Sequence, residues 1–261
     1  MDNNISFSKI VATPTLNSWS QAYNAGKLFA VLSLENTGEL PSDIESLNML
    51  GKDLLERLEQ EFFTIEVKDL ESIKTAISNT FQNRIENVNY SFASGAFVNN
   101  ILYLFALGNG KAYIKRDGNL GVALDAESIN PKEVTSSSGF LKDNDLIVLA
   151  TDAFSKTVSN DDLNLSLNDA MPIEIAESLA PNIHKAEDGR ISAIVIKYGI
   201  TPVEEVLDEG IEEQEEIKQP SPPFQKYLAL LKSKLKVPNF KIASNKKIFL
   251  IAAAVIILVL G

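Results

Sequence analysis

Apolar residues along the chain follow two rhythms. The run "LFAVLSL" (28–34) is apolar at nearly every position, the pattern of a strand buried on both faces. "DLIVLAT" (145–151) repeats that pattern, and "RISAIVIKYG" (190–199) closes the patterned part of the chain. Between the first two, the period changes to that of an α-helix. "SDIESLNMLGKDLLERLEQEFF" (42–63) predicts a helix with Ser42 as N-cap and Glu45 completing a capping box. Residues 69–88 predict a second amphipathic helix, and "PIEIAESLAPNI" (172–183) a third. Residues 89–124 alternate and are punctuated by "NN", "GNG" and "RDGN", which predicts an antiparallel meander of four strands. "TSSSG" (135–139) reads as a flexible loop. Strands that bunch together, with helices grouped apart from them, give an α+β fold with helices on sheet faces. The globular domain is expected to span 1–200.

The remainder follows other rules. Residues 201–223 form an acidic, then proline-rich linker, with eight acids between 204 and 216. In 224–247, Phe224, Tyr227, Leu228, Leu231 and Leu235 share one helical stripe, while Lys226, Lys232, Lys234 and Lys236 lie mostly off it. That is the pattern of a basic amphipathic segment lying on an anionic membrane surface. Residues 248–261, "IFLIAAAVIILVLG", carry no polar side chain. As a helix they span about 21 Å at ~1.5 Å per residue, against a hydrocarbon core of roughly 30 Å. The run is still apolar where the sequence stops, so it reads either as a short tail anchor or as the front part of a longer protein's transmembrane helix. Lys246 and Lys247 immediately before it make the expectation a single-pass cell-membrane protein with a cytoplasmic N-terminal domain.

Charge and composition narrow the chemistry. The net charge of −11 conceals a split: residues 220–261 hold seven lysines and no acid, so 17 basic and 35 acidic side chains leave the remaining body at −18. Such a body repels phosphates, and no nucleic-acid partner is expected. The absence of cysteine excludes disulfides, thiolate metal sites and cysteine nucleophiles. His184 is the only histidine, so a multi-histidine metal site is excluded, and any metal would rest on oxygen ligands, as Mg²⁺ or Mn²⁺ do. His184 itself reads as a helix-end surface residue, and Trp19 as core packing.

With these segments in order, the chain resembles the metal-dependent PPM/PP2C-type protein phosphatases over roughly residues 6–199. The resemblance rests on the two long helices followed by "ASGAFVNNILYLFALGNGKAYIKRDG", then "SGFLKDNDLIVLATDAF", a helix, and "DGRISAIVIKYG". It implies a sandwich of two antiparallel sheets flanked by helices. In the family, two Mn²⁺ or Mg²⁺ ions bridged by aspartates activate water against phosphoserine and phosphothreonine.

Position by position, the family's motifs are altered. Its "FAVxDG" strand reads "FAVLSLEN" here, with Ser33 at the bridging aspartate and Leu34 at the glycine. Glu35 shares Ser33's face but lies about 7 Å further along the strand. The turn "GDSR" reads "GNGK", with Asn109 in place of the aspartate. "TDG" reads "TDA", which retains Thr151 and Asp152, and "DNIT" reads "GRIS", which sets Gly189 at the aspartate and Asp188 one position early, beside Arg190. The stretch "TPTLNSWSQAYNAG" holds neither the arginine nor the acids the family carries near its N-terminus. Asp152 and Asp188 are therefore vestigial metal positions, with Asp152 expected to cap the following turn through the N–H groups of Phe154 and Ser155. One or two carboxylates do not offset the repulsion of two dications roughly 4 Å apart. The resemblance thus implies a catalytically inactive, membrane-anchored binding or sensing module with a protein partner, a phosphoprotein among the options, and no cofactor. Two further readings stand beside it: an active Ser/Thr phosphatase with a rearranged metal site, and a cytoplasmic anchor for an exported module beyond residue 261.

Overall fold

The computed structural model describes residues 2–38, 44–130, 132–168 and 171–201. The linker beyond Thr201, the basic segment with its lysines and the apolar run 248–261 lie outside the described residues. Among the described residues no helix is long and apolar enough to cross a membrane.

Among the described residues, ten strands form two five-stranded antiparallel sheets. The first has the order β1 (Asp2–Val11), β10 (Ser192–Thr201), β9 (Leu146–Ala150), β6 (Lys111–Arg116), β7 (Asn119–Asp125). The second has the order β2 (Ser18–Ala25), β3 (Leu28–Asn36), β4 (Val88–Val98), β5 (Ile101–Leu107), β8 (Thr135–Phe140). Strand alternation distributes the core over three layers. On β3, Phe29 and Val31 face the first sheet and meet Ile147, Leu149, Ile194 and Ile196. Leu28, Ala30, Leu32 and Leu34 face the other way, onto α1 (Ile44–Thr64) and α2 (Leu70–Thr80). The outer face of the first sheet, with Val148, Ala150 and Val195, is covered by α4 (Asp152–Thr157), α5 (Asn160–Ser166) and α6 (Pro172–Ala186). Both faces of the central strands are therefore buried, and this is why they read as continuous apolar runs. A short α3 (Ala126–Ile129) follows β7.

Several expectations are corrected. The meander does not stay in one sheet: β4 and β5 belong to the second sheet, and β6 and β7 to the first. The "GNG" turn carries the chain between them under close backbone contact. A Cβ on Gly108, which sits at φ +65°, would lie 1.9 Å from the Tyr90 carbonyl oxygen, and one on Gly110 would lie 1.9 Å from that of Phe92. The second helix ends at Thr80, where the C-cap Phe81 leaves the helical backbone, and the chain then reverses through Asn87 at φ +63° into β4. "TSSSG" is strand β8, paired along β5, with the Thr135 hydroxyl donating to Ala106 O. The apolar pattern marks no strand before Leu28, yet β1 and β2 are there; β1 is mostly polar and owes its place to pairing along β10.

Candidate functional site

The ends of β3, β4 and β9 and the turn before β10 converge on a cleft of about 530 Å³. Ser33, Glu35, Ser91, Asn109, Asp152 and Arg190 line it, together with Arg84 and Lys132 from two rim loops.

Sheet register builds the floor. Ser20, Ser33 and Ser91 are consecutive cross-strand partners on β2, β3 and β4, each buried. Two of them act as struts between layers: the Ser20 hydroxyl donates to Ile191 O at 2.9 Å, and the Ser91 hydroxyl accepts from the Asp152 N–H at 2.9 Å. Thr151, fully buried, joins β9 to the last turn by donating its hydroxyl to Arg190 O and accepting from Ser192 N–H. A run of small hydroxyl side chains thus stands where Ser33's alignment leads one to look for a carboxylate.

Asp152 opens α4, and it does not cap the turn as the sequence predicts. No side chain caps the start of α4, and Asp152 Oδ2 instead accepts from Lys156 Nζ one turn on, at 2.7 Å. Its Oδ1 is buried without a hydrogen-bond partner among the described residues.

Asp188 is held by Arg190, whose N–H and Nε each reach Oδ1 at 2.9 Å and whose Nη2 reaches Oδ2 at 2.7 Å. The same guanidinium donates through Nη1 to Glu35 Oε1 at 2.9 Å, and Asn89 donates to Glu35 Oε2. Burial alone works to raise the Asp188 carboxyl, but the Arg190 hydrogen bonds and charge outweigh it and hold the group below its ordinary 3.8. Arg190 is pushed further up by its bonds to Asp188, against the effect of burial and with help from the charges of Asp188 and Glu35.

Gly189 has no space for a side chain. A Cβ there would lie 2.6 Å from Ser18 Oγ and 2.8 Å from Thr15 N. Trp19 is core, as expected, and His184 is exposed on α6. Sequence reasoning singles out Ser33, Glu35, Asp152, Asp188 and Arg190, and all but Asp188 line the cleft. It passes over Ser20 and Ser91, which only strand register reveals, and Arg84 and Lys132, which belong to no motif.

No family model matches the chain, and no curated protein sequence matches it. Solved structures do. The catalytic domain of the serine/threonine protein phosphatase PstP in complex with two manganese ions superposes at a TM-score of 0.59, with 16% identity, over 76% of this chain and 99% of that one. PppA of Pseudomonas aeruginosa gives 0.57 and 14% over 75% and 97%, and the phosphatase domain of SpoIIE from Bacillus subtilis gives 0.53 and 17% over 77% and 65%. The domain has the PPM/PP2C phosphatase fold.

Whether this domain suits two ions like the manganese pair of PstP is a question about its donor set. Among the described residues, no three acidic or histidine side chains gather as a metal cluster. Ser33 and Gly189 supply no carboxylate, Glu35 and Asp188 are both paired with one guanidinium, and Asp152 is shared with Lys156. Two adjacent dications need several uncommitted carboxylates, so the side chains present do not fit them.

Proposed function

We propose that this PPM-type domain does not hydrolyse phosphate esters and instead serves as a membrane-tethered binding and sensing module for a protein partner, phosphoproteins included. One observation carries the reading: the Arg190 guanidinium lies between Glu35 and Asp188. Arginine keeps its charge at all physiological pH, so it stands as a permanent cation beside the two carboxylates a displaced metal site would have to recruit. The fold keeps its cleft while the chemistry that would activate water is replaced by internal ion pairs. The tether follows from the sequence pattern, in which the basic segment with Lys226, Lys232, Lys234, Lys236, Lys246 and Lys247 precedes the apolar run. It sets the domain on the cytoplasmic side, where it reports the state of its cleft to the membrane.

The alternative is an active metal-dependent Ser/Thr phosphatase with a rearranged site on Asp152. It draws on the unpartnered Asp152 Oδ1 at the cleft. Calorimetric titration of the full chain with Mn²⁺, run beside turnover of a phosphoserine peptide, separates the two. The module reading expects no micromolar Mn²⁺ binding and no turnover. Micromolar binding abolished by Asp152→Ala, with turnover, would overturn it. Flotation of the full chain with anionic vesicles, reduced when the juxtamembrane lysines are replaced, is the result expected for the tether.

A further inference from the structure

Next to the cleft lies a second groove of about 300 Å³, beside α2 and β8. The two depressions share Arg84 and Lys132. Arg84 Nη2 donates to Lys132 O at 2.9 Å, which ties the loop after α2 to the loop before β8 and forms a bridge with the cleft on one side and the groove on the other. Lys74, from the outward face of α2, lines the groove beyond. Among the described residues, Lys74, Arg84 and Lys132 form no ion pair with a carboxylate, a state they share with other lysines such as Lys27 and Lys52. The placement of Lys74, Arg84 and Lys132 is what sets them apart: on an acidic body, all three lie along one channel made of the two adjoining depressions, whose outer groove holds a single acid, Glu133.

We propose that this channel binds an extended acidic peptide segment of the partner, whose Asp or Glu side chains pair with Arg84 and Lys132 at the bridge and with Lys74 beyond it. This deepens the binding-module reading and rests on it. Carboxylates spaced along a chain suit the channel better than one deep phosphate does. At the cleft floor the guanidinium of Arg190 is already committed to two carboxylates, and the free cations are on the rim, Arg84 and Lys132 both exposed. Rim cations gain little from any single pair, so recognition requires several in register. Two acids, Glu86 in the cleft and Glu133 in the groove, restrict that register, since a partner carboxylate opposite either one is repelled. The net negative body does not forbid such a ligand. At physiological salt the Debye length is about 8 Å, so a short segment senses the channel, while a long polyanion senses the whole body.

The test is fluorescence anisotropy of the full chain with a labelled ten-residue peptide bearing alternating glutamates. Its glutamine counterpart and a phosphoserine peptide are run alongside. The glutamate peptide is expected to bind at least about tenfold tighter than the glutamine one, and to weaken with added salt. The double variant Arg84→Glu/Lys132→Glu is expected to lose that advantage, and Lys132→Ala alone to reduce it. Lys197→Glu, on β10 away from the channel, should leave it unchanged. Equal binding of the two peptides, or undiminished binding to the double variant, overturns the proposal. Binding of the phosphoserine peptide alone, lost in Arg190→Ala, also overturns it by moving recognition to the cleft floor, while the binding-module reading stands. Turnover of the phosphoserine peptide with Mn²⁺ overturns that broader reading instead, whatever the glutamate peptide does.

Discussion

Arg190 reaches across from the turn before β10 to Glu35 at the end of β3, with Nη1 2.9 Å from Oε1, and so links the cleft ends of the two sheets by a side-chain ion pair. Arg190→Ala is expected to lower stability by about 1 kcal/mol, read as a shift in the urea midpoint. The upper end of the range for solvent-exposed ion pairs applies because both side chains are about one-third exposed. Arg190→Lys should recover only part of the loss, because an ammonium cannot form the forked contact with Asp188. A variant as stable as the parent would mean that the pair is ornamental.

Acid should weaken the same link. The Asp188 carboxyl is lowered in the folded protein, so its contribution to stability is present above the ordinary value of 3.8 and is lost as pH falls through the lowered folded value. Asp69 is lowered as well, first through the Ser72 N–H it accepts at the start of α2, so acid sensitivity as a whole is not the diagnostic. The difference is. Between about pH 5 and pH 3, the urea midpoint of the parent should fall more steeply than that of Asp188→Asn. Parallel slopes would count against the assignment.

A second ion pair lies at the opposite end of β9. Asp145 is 1% exposed, and it accepts from Arg116 Nε at 2.8 Å, Arg116 Nη2 at 2.5 Å and Lys142 N–H at 2.8 Å. Asp145→Ala leaves a guanidinium without its carboxylate beside the core, and a loss of about 3 kcal/mol is expected in chemical denaturation. A loss below 1 kcal/mol would mean that water replaces the carboxylate without cost.

The helical layer depends on one missing side chain. A Cβ on Gly51 of α1 would fall 2.0 Å from Cζ3 of the buried Trp19. Alanine is the better helix former by about 1 kcal/mol, so intrinsic propensity predicts that Gly51→Ala stabilises. Overpacking predicts the reverse, with a net loss of about 1–3 kcal/mol. The sign of the change in melting temperature decides between them.

How much of this is legible in the sequence depends on the range of the interaction. Local periodicity identifies β3, β9, β10, α1 and α6, because each buries a face or two on its own. Alternation along β3 also assigns Ser33 and Glu35 correctly to one face. The pattern does not reveal β1, whose largely polar residues take strand form from pairing along β10, nor β8, whose serines look like a loop until β5 is beside them. At the cleft, Asp152 and Arg190 are visible as motif positions. Their partners are not, since Lys156 competes locally for Asp152 and Glu35 meets Arg190 across 155 residues of chain.

The tight packing at Gly189 bears on attempts to build a carboxylate there. The Thr15–Ser18 bend fills the volume any side chain at position 189 would enter, so a single codon change there cannot introduce an acid without evicting that bend. Two segments distant in sequence would have to change together. Position 189 is closed in this sense: the backbone around it, and not only the residue it carries, excludes an acid.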